Sequence, residues 1–409
     1  MRYDLRHANV VVAAMLLALG ASELRAQAPT TPVDTTLIVR PVVDSLAPPT
    51  PVPVPAPVPA PVPAPTPRDP ARQSRLLLQP SVTSFTFGEG STARTVEQTA
   101  VPVVLVLPLH RRFTVDITSA AAYTRVVAGD STESEIVGST DTQIRADWQL
   151  MLDHLSLTLG VNAPSGQYRV TDDQLGAAVQ IGNDFLMFPI PSMGNGPAGT
   201  VGLAAAVQLL NINVGFGGSY RKGMEFEPVS LAVGEARYQP ADETRFRVSA
   251  ERRLWVGTAS FGMIFSTFGE ERLDATTYST GDRVITTAGW SIPFGRLQLD
   301  LGMWNLDREA GERLGGPAPE EAIRNYSGAV SLRLGQWVFQ PMMESRRATV
   351  SGDRVADLGN AGITISIPIG QRYVLEPRYV KSTGELSLVT SGEKVPLTGW
   401  QGSLLLRRR

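Results

Sequence analysis

The sequence has no cysteine and only three histidines in 409 residues. Without thiols there is no disulfide framework, no Cys-ligated zinc site, no thiol nucleophile and no lipobox cysteine for a lipid anchor. Charge is scarce too: 19% of residues are charged, against roughly 25% in an ordinary soluble domain. The two signs nearly balance, 37 Lys+Arg against 39 Asp+Glu, so there is no polyanion-seeking surface and no nucleic-acid partner is expected. Long hydrophobic runs are also missing. Beyond residue 28 the best candidate is Ala100–Leu109, interrupted by Pro102 and Pro108, far short of the roughly 18 apolar residues of a spanning helix.

What is present begins with an address. Arg2 and Arg6 form a basic n-region, Val10–Ala21 is an apolar run, and Ala26-Gln27-Ala28 is a small-x-small cleavage site. Residues 1–28 read as a secretory signal peptide, removed in the mature protein. Residues 29–74 hold nearly half of the 31 prolines, most in the alternating run Pro51–Pro67. Proline fixes φ and lacks a donor, so this segment is expected to be a disordered, extended periplasmic linker outside the folded domain. Whether the arm engages a periplasmic partner stays open. Within it, Asp34–Val39 looks like the TonB box of energised outer-membrane receptors. Such receptors need a plug domain and a 22-stranded barrel, for which residues 75–409 leave no room.

From residue 75 onward the pattern has period two. Ile363, Ile365, Ile367 and Ile369 alternate with Thr364 and Ser366; Leu297, Leu299, Leu301 and Met303 oppose Gln298 and Asp300. Ile144, Ala146, Trp148 and Leu150 oppose Arg145, Asp147 and Gln149. Each segment is a strand with one apolar and one polar face. Alternation alone does not say whether the apolar face meets a protein core or lipid.

Three features favour lipid over a secreted soluble β protein. Breaks alternate between short (108–112, 151–154, 210–211, 240–243, 293–295, 335–336, 368–371) and longer (88–94, 128–138, 163–197, 222–228, 269–281, 308–322, 346–355, 381–394). Short turns at one end and long loops at the other are the outer-membrane barrel pattern. Phe113, Trp148, Trp290, Trp337 and Tyr373 lie on the apolar face near short turns, and Tyr123, Tyr220 and Tyr379 near loop ends, as two interfacial girdles require. Most segments also exceed the 5–6 residues typical of soluble strands. The expected fold is all-β, a transmembrane antiparallel up-and-down barrel of about 16 strands over 75–409, in the bacterial outer membrane. One segment strains that count: 244–268 counts as a single strand, and an invented strand elsewhere would make the number 14.

The polar faces carry Asp116, Arg145, Asp147, Arg245, Arg247, Glu251, Arg283, Asp300, Arg333, Arg372, Glu376 and Arg378. Charges there require a partly watered lumen or pairing across it, so these are candidate solute-path residues. The discriminator is pairing: a passage needs separated charges, a closed lumen needs matched ones. Chemistry finds little footing. His7 leaves with the signal, while His110 and His154 fall in short turns away from outer-leaflet substrates. No catalytic residue, metal or cofactor is expected. Trp400, Gly402, Leu404 and Leu406 resemble the terminal signal read by the barrel-assembly machinery, although Arg407, Arg408 and Arg409 follow where an aromatic usually ends it.

The longest loop, 163–197, follows Gly160-Val161-Asn162-Ala163-Pro164-Ser165-Gly166, contains Phe185-Leu186-Met187-Phe188-Pro189-Ile190, and closes with Gly194-Asn195-Gly196. Over about 50 residues this resembles the outer-membrane transporters linked to meta-pathway phenol degradation, in which a Gly…Pro-Thr/Ser-Gly turn precedes a long loop and a Gly-x-Gly segment. That resemblance implies passive uptake of small, apolar or aromatic solutes. An apolar cluster does not stay in water. Phe185, Leu186, Met187 and Phe188 are therefore expected to fold into the lumen as a constriction, the alternatives being the outer leaflet or a partner protein. The expected partners are membrane lipid, outer-leaflet lipopolysaccharide and the barrel-assembly machinery. The rival reading is a structural barrel with a closed lumen whose arm or loops bind cell-envelope partners.

Overall fold

The computed structural model describes residues 74–408, apart from 91–92, 130–132, 152–153, 232–233, 314–315, 371–372 and 388–392. The signal, the Pro-rich segment, Arg372 and Arg409 lie outside the described residues. Sixteen antiparallel strands form a closed wall. They are β1 (Arg75–Leu78 continuing as Ser81–Phe87), β2 (Arg94–His110), β3 (Phe113–Ala128), β4 (Glu133–Ser139 continuing as Thr142–Met151) and β5 (Leu155–Ala163). Next come β6 (Ala198–Leu209), β7 (Ile212–Gly223), β8 (Glu243–Leu254), β9 (Gly257–Phe268), β10 (Arg283–Phe294) and β11 (Leu297–Arg308). The last five are β12 (Glu321–Leu334), β13 (Trp337–Val350), β14 (Asp353–Ile369), β15 (Tyr373–Ser387) and β16 (Lys394–Arg408). The seam closes through β1, where Ser81 stands opposite both Ala100 of β2 and Ser403 of β16. Closure leaves no strand edge exposed to lipid, the condition for crossing a bilayer as sheet.

The period-two reading maps onto this wall. Outward positions leave Trp148, Phe216, Val248, Trp290, Leu301, Trp337, Ile363 and Trp400 exposed, an apolar belt that only lipid can cover. Tight turns join the strands at the rim that also holds both ends of the wall. In one of them Leu210 and Asn211 both take positive φ, 49° and 64°, matching the twist of a two-residue hairpin. No helix among the described residues is long and apolar enough to cross a membrane; this chain crosses with strands.

The strand count holds through two compensating corrections. Segment 244–268 is two strands, β8 and β9, joined at Trp255-Val256 with Trp255 98% exposed. Residues 229–239 do not join the wall. Phe226–Leu231 and Gly234–Gln239 form a hairpin in a separate five-stranded sheet with Val170–Thr171, Glu271–Leu273 and Thr276–Tyr278, on the long-loop side. Residues 240–243 are therefore a return to the wall and not a short turn. The breaks at 128–138 and 346–355 are also mostly strand, because β3, β4, β13 and β14 extend through them.

The wall is uneven. β2, β3 and β12–β16 run 14–17 residues, whereas β5–β11 run 9–12. The tall side carries a large dry core.

Candidate functional site: the lumen and its loop

The chain from Ala163 to Ala198 enters the barrel. Its middle forms a short helix, α1 (Leu175–Ile181), followed by the apolar segment 185–193. Phe185, Leu186, Phe188, Ile190 and Met193 are buried in one cluster with Phe85, Val96, Ala122 and Ile136 of β1–β4 and with Leu306, Ile323, Ala348, Leu358 and Leu397 of β11–β16. The Phe188 ring meets Phe85 edge-on at 5.6 Å. Burying each of these side chains contributes roughly 1.5–3 kcal/mol, so the loop is held against the tall wall mainly by apolar packing. Met187 departs from its neighbours: its φ is 53° and its side chain is partly exposed.

Polar contacts fix the register of that packing. Gln98 of β2 is wholly buried. Its Nε2 donates to the Ile190 carbonyl at 2.7 Å and its Oε1 accepts from the Ile190 N–H at 2.9 Å, imitating a strand partner inside the lumen. On the far wall Arg346 Nη1 donates to the Phe185 carbonyl at 2.6 Å, and Arg308 Nη2 reaches Asp184 at 2.8 Å. Both ends of the loop converge on Asp141, which sits at the break in β4. Its Oδ1 accepts from Gly166 N at 3.0 Å, and its Oδ2 accepts from Asn195 N at 2.7 Å and Asn162 Nδ2 at 2.9 Å.

The small residues at the two loop ends have a local cause. A Cβ on Gly166 would collide with Met193 O and Asp141 N, and one on Gly196 with the Phe226 ring. Phe226 in turn stacks edge-on with Tyr168 at 6.1 Å and Tyr238 at 5.6 Å. The glycines therefore let the loop ends, the wall and the outer hairpin meet in one place.

The charged candidates divide into two tiers. In the upper tier, beside the loop, the charges are matched. Arg245 Nη2 lies 2.6 Å from Glu243 and its Nε donates to Ser266 at 3.3 Å. Arg283 lies 3.7 Å from Glu243 and 5.5 Å over the Phe268 ring, and Arg308 bonds Glu321 at 2.8 Å. Arg346 is paired with Glu344, which also accepts from Asn360 at 3.1 Å. Towards the short-turn rim the charges are mostly separated. Asp116, Glu251, Asp300, Arg333 and Arg378 form no ion pair among the described residues. The exceptions are Arg145 with Asp147 at 2.9 Å, and Glu376, which accepts from Ser366 at 2.8 Å and Arg407 at 3.0 Å. Arg247 is exposed on the lumen face of β8.

Sequence reasoning missed Gln98, Asp141, Arg308 and Arg346. Each sits at an inward position of the wall, and no local pattern marks it as touching a loop distant in sequence. It also missed the lumen face of β6–β10, where Gly202, Ala204, Gly215, Ser249, Gly262 and Gly289 point inward. These small residues leave space beside the loop, and Ala204 and Ser249 are solvent-exposed there. A cavity of about 410 Å³ opens between α1 and the rims of β2–β4, lined by Leu175, Val179, Val126 and Ala128 with Arg94 and Asp172.

His110 and His154 lie at the short-turn rim. His110 Nδ1 accepts from Arg112 N at 3.3 Å, and His154 Nδ1 is 3.3 Å from Ala206 O. No group of three metal-binding side chains occurs among the described residues.

Comparison with known protein families and with curated protein sequences finds no match, so the phenol-pathway resemblance gains no family support. Among solved structures the similarity is one of fold. CdiB from Acinetobacter baumannii aligns at 9% identity over 81% of this chain and 60% of its own, with a TM-score of 0.45. The anion-selective porin from Comamonas acidovorans aligns at 12% identity over 82% and 100%, TM-score 0.38. An outer membrane channel from Pseudomonas putida F1 aligns at 14% identity over 69% and 98%, TM-score 0.36. The chain thus spans about 60% of the length of CdiB.

Proposed function

We propose that this barrel is an outer-membrane channel or transporter through which small solutes, apolar or aromatic ones among them, pass passively. The loop 164–197 narrows its lumen. One observation carries the reading: the loop packs against the tall wall and leaves the small, exposed residues of β6–β10 facing open space. A constriction built this way selects by size at its narrow point and by wall chemistry below it. The apolar cavity beside α1 supports apolar solutes, because its Leu175 and Val179 face the mouth uncovered. The reading is of a non-enzymatic barrel.

The rival reading, a closed structural barrel, draws on the matched charges of the upper tier. Single-channel conductance of the purified protein in planar bilayers separates the two, measured beside a variant lacking residues 170–192. The channel reading expects stable steps that grow on deletion. If neither protein conducts while both migrate on gels as heat-modifiable barrels, the channel reading is lost and the closed barrel stands.

A further inference from the structure

The outer surface carries a charged patch that the lipid-facing belt does not account for. On β11–β14 Asp307, Arg324, Arg347 and Asp357 are outward positions above the belt, since Leu306, Ile323, Arg346 and Ala356 beside them are buried inward, and a register shift between Ala348 and Thr349 brings Arg354 to the same side, opposite Thr349. Arg324 and Arg347 stand directly opposite each other on neighbouring strands, an arrangement in which like charges repel. Three carboxylates share the patch with three guanidiniums: Asp307, Asp357 and Glu385, which stands opposite Asp357 and pairs with Lys394 at 3.4 Å. Arg324 Nη2 donates to Asp307 Oδ1 at 2.5 Å, Arg347 Nε donates to Asp357 Oδ1 at 3.2 Å, and Arg354 takes the second oxygen of Asp357. Arg324 Nη1 is shut off from water and has no hydrogen-bond partner.

The height of the patch is informative. Counted from the turn at Gly335, Arg324 and Arg347 follow about 25 Å of wall, taking ~3.3 Å per residue and a tilt near 40°. That is the thickness of the hydrocarbon band. Directly below them Tyr326 is exposed opposite Ser345, and one outward rung lower Met343, opposite Gly328, is 71% exposed as part of the belt. Lys381 stands outward nearby, level with Ala361 and Trp400, and forms no ion pair among the described residues. A lysine at that level must extend its ammonium to the headgroup layer.

We propose that this patch binds the phosphorylated headgroup of an outer-leaflet lipid, with a phosphate between Arg324 and Arg347. A phosphate there turns a repulsive cross-strand pair into two charge-assisted contacts. The assignment depends on the barrel standing in the outer membrane with its long loops outside, and not on the lumen being open.

The test uses the detergent-solubilised barrel with three probes: bis-phosphorylated lipid A, the same lipid stripped of phosphate, and inorganic phosphate. Retention is read by native mass spectrometry, alongside the thermal unfolding midpoint. The proposal expects bis-phosphorylated lipid to be retained and to raise the midpoint, while the other two probes do neither. R324Q/R347Q should lower retention about tenfold, R324K/R347K should restore part of it, and Lys222→Gln, outward on the opposite wall, should change nothing. Equal retention of the dephosphorylated lipid, or no loss in the Gln double variant, would overturn the proposal and leave a self-contained ion network. An equal effect of inorganic phosphate would overturn it in favour of a free-anion site. Heat-modifiable migration shows whether each variant folds, and if the double variant does not, the wild-type lipid comparison decides alone.

Discussion

Asp141 is the residue on which the lumen loop turns. It takes two backbone N–H groups and one side-chain amide, joining the two ends of the loop. Asp141→Ala leaves those donors unpaired in a buried junction, at a cost of about 2–4 kcal/mol. The wall should survive, because strand pairing does not run through the carboxylate. Hydrogen exchange should therefore rise across 164–197 and stay slow in β12–β16; equal loosening everywhere would contradict the clamp. Gly196 is a second such point, with φ 71° and the Phe226 ring where a Cβ would go. Gly196→Ala should loosen the hairpin 226–239 by about 1–3 kcal/mol, seen as faster exchange there and not in β8. Neither role was legible in sequence. Gly194-Asn195-Gly196 reads as an ordinary turn, and Asp141 as one more polar residue in a Ser-Thr-Asp-Thr run. Their partners lie far away along the chain, and period-two analysis has no means of pairing them.

At the scale of elements the pattern was legible where lipid enforces it. A strand with Ile363, Ile365 and Ile367 on one face and Thr364 and Ser366 on the other has one place to put each face. The pattern was least informative at the hairpin 226–239, which alternates equally well because it is a strand pair; alternation does not distinguish the wall from a sheet standing above it. The β8–β9 turn was hidden for the opposite reason, since Trp255-Val256 lacks the Gly, Asn or Pro that normally marks a hairpin. The outer sheet yields its own prediction. Burial and the hydrogen bond to Glu271 raise the Tyr238 phenol well above its ordinary range, and burial with the nearby Glu271 carboxylate pushes Tyr278 up to about 12. A raised phenol stabilises the sheet fully below the ordinary tyrosine pKa of about 10 and loses that contribution as pH climbs through the shifted value. Ultraviolet titration should show phenols that ionise late, and Tyr278→Phe should remove one of them. A titration in which all tyrosines ionise together near pH 10 would contradict this packing.

At the scale of the whole molecule the lumen has two tiers. The upper one is filled on its tall side by an apolar loop with matched charges. The lower one is lined by small residues and by charges most of which are unpaired among the described residues, and in the proposed reading it is open. Sequence alone supplied the barrel and the apolar loop, and its strand number through two misassignments that cancel. The side on which the loop lies depends on which wall strands are tall and apolar inside, and this emerges only when β1–β4 and β11–β16 are brought together around it.

The absence of native cysteine makes the central claim directly measurable. Single cysteines at Ser249, exposed on the open face of β8, and at Thr124, wholly buried beneath the loop, can be probed in intact cells with a small hydrophilic thiol reagent. The account predicts rapid modification of S249C from outside and none of T124C. If S249C is protected, or if both sites react alike, a water-filled route beside a packed loop does not exist.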